Sequence, residues 1–145
     1  MGIRRQAREL AMQTLFSSDF SSDWDLDSAL RCAKFYSKDK SIIRFASLLI
    51  TGVITNKVNL DSNITKASEN WSISRMSRVD RSILRISSYE IIYQKDVPVN
   101  VSINEAIEIA KKFGSEDSAN FINGVVDRIA RNYNVAFEDE MLKIA

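Results

Sequence analysis

This sequence predicts an all-α fold, and three observations carry the prediction. Apolar residues recur three and four positions apart along most of the 145 residues. No stretch alternates convincingly with the period of two that a half-buried strand requires, and one proline and four glycines leave few places where a helix must stop. Hydrophobic residues make up 45% and charged residues 27%, the balance of a folded chain that can bury a core of its own and not of a disordered one.

The first helix is expected from Ile3 to about Phe16, with Ile3, Ala7, Leu10, Ala11 and Thr14 on the inward stripe and Arg4, Arg5 and Arg8 on the neighbouring surface. The serine-rich stretch from Ser17 to Asp23 reads as a loop. A second helix, Leu26 to Tyr36, turns Leu26, Ala29, Leu30, Ala33 and Tyr36 inward, and Asp25 stands where an N-cap belongs. A long third helix, from about Ser41 to Lys66, carries Ile42, Ala46, Leu49, Val53, Leu60 and Ile64, with Gly52 admitting a close neighbour at some cost to the helix. The polar stretch from Ser68 to Ser77 around Trp71 is the expected junction between two halves.

Ser77 and Asp80 resemble a capping box and open a fourth helix that buries Val79, Ile83 and Ile86 and ends before Pro98. Lys95 to Val97 form a connector, since the residue before a proline avoids helical dihedrals and the proline has no amide hydrogen. Ser102 and Glu105 form a second capping box for a short fifth helix that stops at Gly114, read as a left-handed terminator. Ser115, Glu116 and Asp117 then begin the last helix, where their acceptors and negative charge suit exposed amides. Ile122, Val125, Val126, Ile129 and Tyr133 face its core, Gly124 leaves room for a neighbouring helix, and the acidic run from Glu138 to Glu140 frays.

Composition excludes much chemistry. Cys32 is the only cysteine and there is no histidine, so disulfide frameworks, Cys/His zinc sites and imidazole triads are impossible. Cys32 falls inside a helix with no partner suited to activating a thiolate and takes a core or interface role. The four glycines are too scattered for a phosphate loop. No apolar run reaches the roughly 18 residues of a membrane span and the N-terminus lacks a signal-peptide stretch, so a cytoplasmic protein is expected. A net charge of +1 means that any basic site is local.

Three constellations remain. Arg4, Arg5 and Arg8 place positive charge at a helix start, where it opposes the macrodipole; phosphate oxygens explain that placement, and a solvated basic face explains it equally. Lys111, Lys112, Phe113, Gly114, Asp117, Asn120, Phe121 and Asn123 combine cations, rings and amides at one helical corner. Unpaired RNA bases can stack on such rings while Asn and Asp read their edges, although one or both Phe side chains can also be core. The carboxylates Asp80, Glu90, Glu105, Glu108 and Asp127 could do acid–base or metal work, but capping and pairing with nearby arginines account for them more simply.

The segments RRQARELAMQTLF (Arg4 to Phe16), LLITGVITN (Leu48 to Asn56), VDRSILRISSYE (Val79 to Glu90) and INEAIEIAKKFGSEDSANFINGVVDRI (Ile103 to Ile129) together resemble the NusB family over nearly the whole chain up to about Tyr133. The resemblance implies two packed three-helix bundles, an N-terminal one over 1–70 and a C-terminal one over 71–134 in one compact unit, followed by a flexible tail over 135–145. It also implies an RNA-binding, non-enzymatic transcription antitermination factor without cofactor or metal. Such a factor pairs with the ribosomal protein NusE, binds single-stranded boxA RNA and helps RNA polymerase read through terminators in ribosomal RNA operons. Matching motifs place RNA contacts at Arg4, Arg5, Arg8, Phe113, Asp117, Asn120, Phe121 and Asn123, and partner contacts at Phe16 and Asp80. Two other readings compete: a helical protein-interaction module that never touches RNA, and an RNA-modifying enzyme of the kind in which NusB-like domains are fused to methyltransferases. The chain is too short for the cofactor-binding sheet domain the latter needs.

Overall fold

The computed structural model of the protein describes residues 2–144, excepting the side chains of 135–140. The helices are α1 (Ile3–Ser21), α2 (Leu26–Tyr36), α3 (Lys40–Thr55), α4 (Lys57–Ala67), α5 (Arg78–Tyr93), α6 (Val99–Phe113) and α7 (Ser118–Ile144), with a 3₁₀ turn at Ile73–Arg75 before α5. No strand occurs among the described residues, as the periodicity predicts. No single helix among them is long and apolar enough to cross a membrane.

Helices α1, α2 and α3 pack against one another, and α5, α6 and α7 do the same. The two groups meet through α5, which also touches α1, α3 and α4. Five neighbours explain why α5 is buried almost all round, from Ser82 to Ser88 and again at Glu90 and Ile91. Its small serines allow the close approach. The hydroxyls of Ser82, Ser87 and Ser88 donate back to the carbonyls of Arg78, Ile83 and Leu84, so none is stranded. At Gly52 an added Cβ would lie 2.1 Å from Cζ of Tyr89, so this glycine lets α3 press onto α5.

Several boundaries differ from expectation for identifiable reasons. The first helix does not stop at Phe16: Phe16 and Phe20 stack one turn apart with centroids 6.4 Å from each other, and Ser21 Oγ donates to the Ser17 carbonyl at 2.9 Å. Serines read as loop formers thus satisfy themselves on helical backbone. Ser22, at φ 57°, ends α1, and the Asp23 amide donates to the Ser18 carbonyl in a Schellman-type closure. The expected long third helix is two helices bent by 79°. The break is Asn56, whose backbone leaves the helical region while its side-chain amide donates to the Gly52 carbonyl at 2.8 Å. Beyond it, α4 buries Leu60, Ile64 and Ala67, packing on α5 and α7.

The Asp25 and Ser77 caps form as expected, accepting from the amides of Ser28 and Asp80 at 3.0 Å each. The second capping box does not form. Helix α6 starts at Val99 behind Pro98, and Ser102 and Glu105 lie inside it with their side chains engaged elsewhere. Gly114 does end α6, but with extended backbone (φ −88°, ψ −176°), not a left-handed one. A Cβ there would meet Ser118 at 2.5 Å and the Ala110 carbonyl at 2.8 Å, so space and not dihedral freedom selects the glycine. Gly124 has nothing among the described residues within 4 Å of a notional Cβ, so the room expected for a neighbouring helix is not used by one of them. Ile3 and Tyr36, assigned inward, are 50% and 61% exposed. Helix α7 begins at Ser118, not Ser115, and continues past Tyr133 to Ile144. The tail anticipated as flexible, with its acidic run, lies partly outside the described residues.

Candidate nucleic-acid interface

The three arginines on the first two turns of α1 reach three depths. Arg4 is exposed and lies 5.0 Å from the centroid of the Phe45 ring, a cation–π contact from α1 to α3. Arg5, its side chain 39% exposed, makes a two-pronged bond to Glu105 of α6, with Nε and Nη2 at 2.8 and 3.1 Å from the carboxylate oxygens. Arg8 does the same to Glu90 of α5, at 2.7 and 2.9 Å, but here both side chains are at most 4% exposed. Ser102 Oγ donates to the same Glu90 at 2.9 Å and completes a buried network joining α1, α5 and α6. Arg8 was expected on the phosphate-binding surface beside Arg4 and Arg5. Its fork is instead committed to an interior carboxylate, and taking it to solvent means leaving a buried charge unpaired.

Helix α6 runs beside α1. One step beyond the Arg5–Glu105 pair, Lys112 Nζ donates to Glu9 at 2.9 Å, so two cross-helix ion pairs tie the faces. Between them lies a groove of about 250 Å³ lined by Arg5, Glu9, Glu108, Ile109, Lys111 and Lys112. Lys111 pairs within α6 to Glu108 at 3.5 Å. Phe113, at the end of α6, is half-buried, with the Lys112 ammonium 5.2 Å from its ring centroid. Its ring also walls an apolar groove of about 380 Å³ shared with Met12, Gln13, Phe16, Ser17, Tyr36 and Val79.

The α6–α7 corner follows directly. The Ser115 amide donates to Ser118 Oγ at 2.9 Å and the Phe121 amide to the Asp117 carbonyl at 3.1 Å, folding the connection tightly over Gly114. Asp117, Asn120 and Asn123 are exposed. Phe121, like Phe113, is half-buried with one side packed on the core, so neither ring is sealed inside. The structure thus places Arg4, Arg5, Phe113, Asp117, Asn120, Phe121 and Asn123 where solvent can reach them and withdraws only Arg8. Phe16, half-buried and stacked on Phe20, lines the apolar groove that Phe113 closes. Asp80 follows the groove residue Val79, is half-buried, and has its Oδ1 shielded with no hydrogen-bond partner among the described residues.

The electrostatics follow from the pairs. The hydrogen bond from Arg5, aided by its charge, holds the Glu105 carboxyl below its ordinary range against the opposing effect of burial, and the same bond raises the Arg5 guanidinium. On α1's far end, burial pushes the Asp19 carboxyl up, but the hydrogen bond from Arg81 and the charges of Arg81, Arg85 and Arg78 outweigh it and leave it lowered. Arg85 also binds Asp61 of α4 through a 2.8 Å bond. Of the other carboxylates, Glu108 pairs with Lys111 and Asp127 with Arg131, whereas Asp80 keeps its shielded Oδ1 unpartnered among the described residues. Among the described residues, no three His, Cys, Asp or Glu side chains are grouped to hold a metal ion. Cys32 is half-buried in α2.

Sequence reasoning overlooked Glu9 and Glu105 as partners of the surface cations, Phe45 as the ring beneath Arg4, and Tyr36 as a groove wall. Glu105 carried a signal, since it lies one turn from Glu108 on a face ending in two lysines, but the capping reading absorbed it. Tyr36 sits at the last position of α2, where an amphipathic ring can leave the core at little cost.

Comparison with known proteins places the chain. A family model described as the NusB family matches residues 5–131. The transcription antitermination protein NusB of Desulfitobacterium hafniense is 47% identical over 133 residues, covering 90% of each chain. Among solved structures, NusB of T. maritima superposes with a TM-score of 0.80 at 38% identity, over 88% of this chain and 90% of that one. A complex of the antitermination factors NusB and NusE with double-stranded RNA contains a chain that matches with a TM-score of 0.81 at 25% identity, over 92% of this chain and 99% of that one.

Proposed function

Because this chain belongs to the NusB family, we propose that it is an RNA-binding transcription antitermination factor that acts with NusE, and that its RNA is a single-stranded boxA-type element met in the cytoplasm during ribosomal RNA transcription. It is an adaptor and not an enzyme. The relatives named above are antitermination proteins, and one solved relative is held with NusE and RNA. The observation that carries the reading is the continuity of one face: the exposed start of α1 lies against α6 through the Arg5–Glu105 and Glu9–Lys112 pairs, and α6 delivers Phe113 and the polar corner to the end of the same strip.

In this reading Arg4 and Arg5 contact phosphates, with Lys111 and Lys112 supplying further charge. Phe113 and Phe121 offer ring faces to unpaired bases, and Asp117, Asn120 and Asn123 reach base edges. Arg8 supports the site from within by fixing α1 on α5 and α6. Phe16 and Asp80 form the partner-binding edge, and RNA polymerase is engaged through the assembled complex. RNA and NusE then strengthen each other's binding, since coupling between two ligands is reciprocal.

A filter-binding titration of boxA and scrambled single strands, with and without NusE, tests the proposal. We expect preferential boxA binding that tightens with NusE and weakens steeply as salt rises. Equal affinity for both strands under both conditions contradicts it, and a salt-insensitive complex with NusE alone would identify a protein-interaction module instead.

A further inference from the structure

On the proposed RNA face, three of the four cations are already paired with carboxylates. Arg5 presents its fork to Glu105 in the bidentate geometry it would offer a phosphate, at 2.8 and 3.1 Å. Lys112 donates to Glu9 at 2.9 Å and Lys111 lies 3.5 Å from Glu108. Five of these six side chains border the groove between α1 and α6, and Glu105 reaches it through Arg5. Arg4 differs, being held against the Phe45 ring and not by a carboxylate. A strip that bears four cations thus shows solvent a much weaker positive field than its composition suggests.

From this we infer that Glu105 and Glu9 are affinity-setting residues: they occupy Arg5 and Lys112 as internal stand-ins for phosphate, so that RNA engages these two cations only by exchanging a carboxylate for a backbone phosphate. The inference rests on the RNA-binding reading above. The exchange is open at Arg5, where the cation is 39% and Glu105 18% exposed, is costlier at Lys112, which is 53% exposed but would leave Glu9 behind at 11%, and is denied to the Arg8–Glu90 pair, which is almost fully buried. Two consequences distinguish masking from mere structural pairing. Neutralising the carboxylate frees the cation without removing it, so RNA affinity rises. The gain also requires the cation, so it disappears when the cation is absent.

The experiment measures affinity for boxA and scrambled single-stranded RNA across a salt series, using wild type, Glu105→Gln, Arg5→Ala, the double variant, and Glu69→Gln as a charge-matched control. Glu69 pairs with Arg128 outside the groove. Glutamine keeps the shape of Glu105, and thermal melts verify that each variant is folded. We expect Glu105→Gln to tighten RNA binding by about two- to tenfold, to steepen the salt slope by up to about 0.7 through one further phosphate contact, and to lose that gain in the Arg5→Ala background. Glu9→Gln should act in the same direction through Lys112. An unchanged or weakened affinity in folded Glu105→Gln overturns the inference, because Glu105 then orients Arg5 for RNA. A gain no larger than that of Glu69→Gln also overturns it, as a general charge effect. Failure of wild type to prefer boxA would instead remove the RNA-binding reading and this inference with it.

Discussion

Arg8 and Arg5 sit on neighbouring turns of one helix and make the same two-pronged bond to a glutamate, yet one pair is interior and the other borders a groove. Burial, not bond geometry, decides what each ion pair does. In the interior, Arg8, Glu90 and Ser102 form a closed network in which loss of one member strands another. At the surface, water and salt compete for Arg5, so its bond to Glu105 adds little to stability and stays exchangeable. The first holds α1 against α5 and α6; the second leaves a cation available on the face so formed.

The buried pair should respond most to substitution. Arg8→Ala should lower unfolding stability by about 3–5 kcal/mol, read from urea denaturation, because Glu90 is left buried and unpaired. The apolar double replacement Arg8→Met with Glu90→Leu should recover most of that loss. If Arg8→Ala is as stable as wild type, the network does not tie α1 to α5 and α6. Next in size, Phe113→Ala should weaken boxA binding by about 1–3 kcal/mol through lost base stacking, measured by titration on protein whose melt confirms folding. Unaltered affinity would return that ring to the core alone.

Smaller effects sharpen the surface end. Arg4→Ala and Arg5→Ala should each flatten the salt dependence of RNA binding by about 0.7 in slope while leaving thermal stability close to wild type. Smallest is the response to acid. Glu105 and Asp19 have lowered folded-state values, so their contributions are complete above the unfolded values of 4.5 and 3.8 and are lost as pH falls through the folded ones. Acid titrations of stability should therefore show the Arg5→Ala variant, which lacks the Glu105 share, losing less than wild type in that window. An identical acid response would mean that Arg5 does not set the Glu105 protonation.

Much of this architecture was legible because it is written locally. The bounds of α2, the caps at Asp25 and Ser77 and the core faces of α3, α5 and α7 follow from spacing and from side chains reaching two or three residues along the chain. What escaped depends on distant partners. Nothing near Arg8 announces that Glu90 waits 82 positions away, and nothing near Ser102 shows that its hydroxyl belongs to the same carboxylate instead of a cap. The break at Asn56 escaped for a related reason: the apolar spacing continues across it, and only the packing of α4 on α5 and α7 shows that the chain turns. Gly114 was placed correctly at a helix end, but its reason, the crowding by Ser118 and the Ala110 carbonyl, exists only once the corner has folded. The candidate site divides the same way, with its residue types readable in sequence and its depth gradient readable only in three dimensions.

In the proposed function, the start of α1 and the α6–α7 corner form one RNA-binding face. Titrating ¹⁵N-labelled protein with boxA RNA and following backbone amide shifts tests it most directly. Perturbations should cluster at Arg4 and Arg5 and from Lys111 to Asn123, leaving the exposed part of α3 around Leu48 and Thr55 unmoved; shifts confined to α3 and α4, or to only one of the two predicted stretches, would contradict it.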